Sequence, residues 1–82
     1  MAIEKSPEYG ALQHVVDALF AYDETVRRLD VIIMAEALDV PAELREIADL
    51  LPPGSYTRQR LCDQMNSSLT GHGWGYVFGT VA

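Results

Sequence analysis

From Ala11 to Leu38 the chain runs without a glycine or a proline, and within that run the apolar residues follow a strict pattern. Leu12, Val15, Leu19, Tyr22, Val26, Leu29 and Ile33 succeed one another at alternating spacings of three and four. That spacing places them on one stripe of a helix facing a single partner along its whole length. Ser6-Pro7-Glu8 supplies a start, with a capping hydroxyl, a proline at the first helical position and an acid at the positive end of the dipole. The next breaker is Val40-Pro41, so residues 7–38 are expected to form one helix of about 30 residues, roughly 45 Å long at 1.5 Å per residue. The alternative is a helical hairpin, broken at Tyr22-Asp23-Glu24-Thr25 with Asp23 capping the second arm. The continuous helix is favoured because the heptad phase passes through that point unchanged.

The second half of this helix is apolar nearly all round. Val31, Ile32, Ile33, Met34, Ala35, Ala37 and Leu38 leave almost only Asp30 and Glu36 polar. Such a segment needs cover on several sides. A chain of 82 residues buries only roughly 60% of the surface its unfolded form exposes, so a second copy is the economical source of that cover. The expected assembly is a homodimer with a two-fold interface built on the seven stripe residues.

Pro41-Ala42-Glu43 opens a further helix that reaches about Leu50, with Leu44, Ile47, Ala48 and Leu51 at core spacing. Pro52-Pro53-Gly54 forces a turn. A last helix follows from Thr57, its cap, to Leu69, burying Leu61, Cys62, Met65 and Leu69 and stopping at Gly71. From Gly71 to Val81, glycines alternate with aromatic and β-branched residues, which predicts an extended ribbon with Trp74, Tyr76 and Phe78 on one face. The expected fold class is mainly α: a long N-terminal helix (or helical hairpin) plus two shorter helices, with a short extended C-terminal tail rich in aromatics and glycine. Residues 1–82 make a single small helical domain.

The net charge of −6 is unevenly spread. Residues 1–50 hold eleven acids against four bases, a balance of −7, and residues 51–82 hold two bases against one acid, a balance of +1. The acidic front repels phosphates, which confines any nucleic-acid contact to the region after Pro52. The N-terminus lacks the basic start and apolar run of an export signal, and the longest apolar run, Val31–Ala35, is too short to span a membrane. With a single cysteine, Cys62, no internal disulfide is available, and the expected location is cytoplasmic.

Few residues offer chemistry. Cys62 with His72 is the one nucleophile–base pair that can be written, yet Cys62 falls on the buried face of its helix. His14, His72 and Cys62 lack the short spacings of a zinc site, and neither a metal nor a cofactor is expected. Asp17, Asp23, Glu24 and Asp30 read as a solvated helix face. Gly71-x-Gly73-x-Gly75 follows a helix, whereas a phosphate cradle precedes one. Asn66-Ser67-Ser68 matches a glycosylation acceptor but sits inside a predicted helix.

Two functional readings remain. The first is a non-enzymatic interaction or regulatory protein acting through self-association and a protein partner, the partner meeting Trp74, Tyr76 and Phe78 as aromatic anchors. The second is a helix-turn-helix-like DNA-binding regulator over residues 43–69, with Arg58, Arg60 and Gln64 on the second helix meeting phosphates and base edges. A small enzyme built on Cys62 and His72 ranks third.

Overall fold

The computed structural model describes residues 8–82. It contains α1 (Ala11–Leu19), β1 (Thr25–Arg27), α2 (Arg28–Ala37), α3 (Ala42–Asp49), β2 (Ser55–Thr57), α4 (Arg58–Gly71) and α5 (Gly75–Phe78). The expected helix start at Ser6 and Pro7 lies outside the described residues.

The fold is mainly helical, but the long N-terminal helix does not form. Its first piece, α1, is nine residues long and ends at Phe20, and the next regular element is a strand. The chain does break across Tyr22–Thr25, as the hairpin alternative has it, but a strand follows the break and Asp23 is not the cap of α2. Helix α2 begins after Arg27, whose backbone N–H donates to Asp30 Oδ2 at 2.8 Å. The cause is tertiary. Thr25 and Val26 are β-branched and suit an extended backbone, and Val26 pairs with Tyr56 across an antiparallel ladder. The break also turns the second segment about its axis. A continuous stripe would bury Leu29 and Ile33, whereas α2 buries Val31 and Ala35, two residues further on and so about 200° around the helix. One chain thereby covers apolar residues that a straight helix would have left for a partner.

The molecule repeats itself. The buried residues of α1 (Leu12, Val15, Val16, Leu19) recur 32 positions later as Leu44, Ile47, Ala48 and Leu51. The strand–helix units recur after 30 positions: β1 matches β2, Arg28 matches Arg58, and buried Val31 and Ala35 match Leu61 and Met65. The ladder pairs Thr25 with Thr57, Val26 with Tyr56 and Arg27 with Ser55. That is the register demanded by a local two-fold axis through the Val26–Tyr56 pair.

Both inner strand residues enter the common core with the faces of α1, α2, α3 and α4. The Tyr56 ring is buried, and its hydroxyl donates to the Pro52 carbonyl. Thr57 caps α4, its Oγ1 accepting from Arg60 N–H at 3.3 Å. At the far end of α4, Gly73 adopts φ 71°, and the N–H groups of Gly73 and Trp74 return to the carbonyls of Thr70 and Leu69. This left-handed stop satisfies the last helix carbonyls and redirects the chain.

The tail also departs from expectation. Gly75–Phe78 is one helical turn, closed by Val77 and Phe78 N–H on the Trp74 carbonyl and by Gly79 N–H on Gly75. The turn satisfies locally the backbone groups that a ribbon would have had to pair with another edge. Trp74, Tyr76 and Phe78 therefore do not share a face: Phe78 is buried, Trp74 half-buried and Tyr76 exposed. Only the residues after Gly79 run extended.

Replacing Tyr56 by Ala is expected to cost about 3–5 kcal/mol, the range for emptying a buried aromatic site. Leu29→Ala, at a residue 64% exposed, is expected to stay within about 0.5 kcal/mol of the parent. Urea titrations of both variants check the pair.

Candidate interaction surfaces

The seven stripe residues are divided by the break. Leu12, Val15, Leu19 and Val26 lie inside the chain's own core. Tyr22, Leu29 and Ile33 stay outside, at 98%, 64% and 55% exposure. Leu29 and Ile33 are one helical turn apart on α2, and Ile33 and Tyr22 line the same groove between α1 and α2, floored by Leu19, Val26 and Met34. Asp23 and Asp30 edge this groove. The exposed part of the stripe thus runs from the acid-edged groove at Tyr22 and Ile33 to Leu29, which lies beside Arg27, Arg28 and Pro53.

The aromatic residues largely close over their own domain. The Trp74 ring stacks on His72 with centroids 4.5 Å apart and meets Phe78 edge-on at 6.1 Å. Tyr76 alone of the three projects into solvent. His72 Nδ1 lies 2.8 Å from the Ser68 carbonyl, which fixes the imidazole at the end of α4.

The basic residues of α4 make intramolecular contacts at the surface. Arg58 pairs with the Asp17 carboxylate and donates to the Ala82 carbonyl through Nε and Nη2, at 3.3 and 3.1 Å. The Arg60 guanidinium sits 5.4 Å from the centre of the Tyr56 ring, in cation–π range. Gln64 is solvent-facing. Cys62 and His72 are ten residues apart along α4, roughly 15 Å at the helical rise, so they do not meet. Burial pushes the Cys62 thiol above its ordinary value, which keeps it protonated and unreactive. Among the described residues no three His, Cys, Asp or Glu side chains come together as a metal site.

A second constellation escaped the sequence reading. Asn66 of α4 holds Val81 on both sides: its Oδ1 accepts from Val81 N–H at 2.8 Å and its Nδ2 donates to the Val81 carbonyl at 2.9 Å. Gln13 of α1 does the same to Ala82, with Oε1 accepting at 2.9 Å and Nε2 donating at 3.0 Å. Gln13 Nε2 also donates to Asp17 Oδ1 at 3.0 Å. In the sequence both amides look like ordinary solvent-side helix positions. Their partners lie 69 and 15 residues away, where no periodicity reaches.

Comparison with family models, curated proteins and solved structures gives no match, so the function rests on the residues themselves.

The hydrogen bond from Gln13, and then the bond from Arg58, hold the Asp17 carboxyl below its ordinary value of 3.8. A folded value below the unfolded one means that this carboxylate stabilises the fold above pH 3.8 and loses its effect as pH falls through the lower folded value. Asp17→Asn should therefore be less stable than the parent at neutral pH. The two should converge well below pH 3.8, as denaturant titrations at both ends would show.

Proposed function

We propose that this chain is a non-enzymatic interaction protein that self-associates and engages a protein partner, with the α1–α2 groove as its self-association surface. One observation carries the reading: three large apolar side chains stand exposed, Tyr22 and Ile33 along one groove and Leu29 one helical turn from Ile33. Contiguous apolar patches of this kind are characteristic of binding sites. An aromatic ring beside two aliphatic side chains, with charges at the margin, has the make-up of an interface centre and its rim.

Self-association by this route needs only three of the seven stripe residues, since the other four serve the monomer's own core. An antiparallel pairing of two α2 helices would set Leu29 and Ile33 of one copy against those of the other and bring Arg27 toward Glu36. Opposite charges at such a rim favour one register.

Light scattering over a range of concentrations is the direct test. The expected result is a particle approaching twice 9.1 kDa at high concentration that dissociates on dilution. Ile33→Glu should remain monomeric throughout, with the parent's melting transition at dilutions where the parent is itself monomeric. A constant mass of 9.1 kDa for the unaltered chain at high micromolar concentration would remove self-association from the reading.

A further inference from the structure

We propose that the cleft between α1 and α4 is a binding site for an extended segment of another protein, one that carries a β-branched apolar residue followed by a small one. In this structure the chain's own Val81 and Ala82 occupy the cleft. The proposal goes beyond self-association and uses none of the α1–α2 groove residues.

Val81 and Ala82 are each held through both backbone groups by a side chain from a different helix. Every polar contact they make in the cleft is to their backbone: Asn66 reads Val81 N–H and C=O, Gln13 reads Ala82 N–H and C=O, and Arg58 adds two bonds to the Ala82 carbonyl. A side-chain amide presents one donor and one acceptor side by side. Two of them, one from each helix, therefore imitate the edge of a neighbouring strand. This is strand-type peptide recognition performed by helices, in which main-chain bonds give affinity and alternate side chains give selectivity. Here Val81 is buried while Thr80 and Ala82 face solvent, so the cleft selects at one position.

The internal repeat shows why a cleft exists at all. Helix α2 packs closely on α3, but the equivalent pair, α4 and α1, makes little direct contact and is bridged by the tail. The half of the molecule that should close helix on helix instead carries a set of backbone-reading side chains.

Release of the occupant would leave the anchor that precedes it in place. Phe78 is anchored in the core, and its carbonyl accepts from Gly10 N–H at 3.0 Å. Gly79 follows at φ 85°, a conformation that disfavours any other residue, with space limited further by the Tyr9 ring 3.1 Å from where a Cβ would stand. Beyond Gly79 only Val81 is buried, and the Gln13 and Arg58 bonds to Ala82 lie at exposed positions where water competes. The tethered tail acts as a built-in competitor at an effective concentration of roughly millimolar. A partner segment must outbind it or arrive already tethered by other contacts.

The test uses the full chain carrying Val81→Asp, which disfavours the internal occupant, and an acetylated and amidated Gly-Thr-Val-Ala peptide as probe. The side-chain amide resonances of Gln13 and Asn66 report binding. The expected result is a saturable shift, with apparent affinity at least about tenfold tighter than for the unaltered chain because the tethered competitor is gone. Adding Asn66→Ala should abolish it. No saturable shift in a folded Val81→Asp chain, or a shift that survives Asn66→Ala, overturns the proposal. Should Val81→Asp not fold, hydrogen exchange in the unaltered protein decides. Val81 and Ala82 amides must exchange at least about tenfold faster than Met65 in α4, as a locally opening segment does, and equal protection overturns the proposal. With Ile33→Glu added to both chains to silence the α1–α2 groove, a mixture of Val81→Asp and Asn66→Ala chains that forms a heterodimer by light scattering, while neither chain dimerises alone, would assign the cleft to the tail of a second copy and remove the foreign segment.

Discussion

The pairing of Val26 with Tyr56 is the constraint on which the rest of this structure depends. A ladder of three residue pairs is too small to persist alone. It persists because both central side chains are buried and because each strand runs directly into a helix. Arg27 and Thr57 are at once the last residues of their strands and the caps of α2 and α4, with extended backbone at φ −103° and −73°. The extended conformation required by the ladder is also the one a helix cap prefers. Ladder formation therefore fixes where two helices begin, and the local two-fold of the ladder fixes how the halves face each other.

Within that near-symmetry the two halves part company in a way that bears on function. Arg28 and Arg58 occupy equivalent positions and reach equivalent places. Arg28 donates to the carbonyls of Asp49 and Leu51 at 2.8 and 2.9 Å, where a cation suits the negative end of α3. Arg58 reaches Asp17, the residue matching Asp49, and also the tail. One arginine locks two helices of the repeat together; the other helps to grip a chain segment lying between two helices. The first arrangement is structural. The second has the components of recognition, and the exposed face of α2 adds a separate apolar surface on the other arm of the repeat.

Much of the second half was legible in the sequence. The Pro-Pro-Gly turn, the Thr57 cap and the buried faces Leu44–Ile47–Ala48 and Leu61–Cys62–Met65–Leu69 follow from local chemistry, and the structure has them. The first half misled because a spacing of three and four through Tyr22–Thr25 looks the same whether the backbone is helical throughout or interrupted and resumed. Tyr22, Leu29 and Ile33 stand out in the sequence only through a helix that does not exist, and Leu29 and Ile33 are exposed because the break turned their face of α2 outward. Gln13 and Asn66 gave no signal, since an amide aimed at a distant backbone has the same sequence signature as one aimed at water.

The sequence by itself determined what can be decided within a few turns of chain: a mainly helical fold, the starts and stops of α3 and α4, the residues that fill their inner faces, and a charge distribution that leaves the front half acidic. Helical periodicity, capping and proline geometry act over three to five residues, so they can be read from neighbours. Tertiary structure alone decided that Thr25–Arg27 is a strand, that α2 presents Val31 and Ala35 to the core and Leu29 and Ile33 to solvent, and that the tail coils once and then lies in a cleft. Apart from the single coil of Gly75–Phe78, which local bonds close, each of these rests on a contact between residues 15 to 69 positions apart. The free energy of such contacts depends on where the rest of the chain has already been placed.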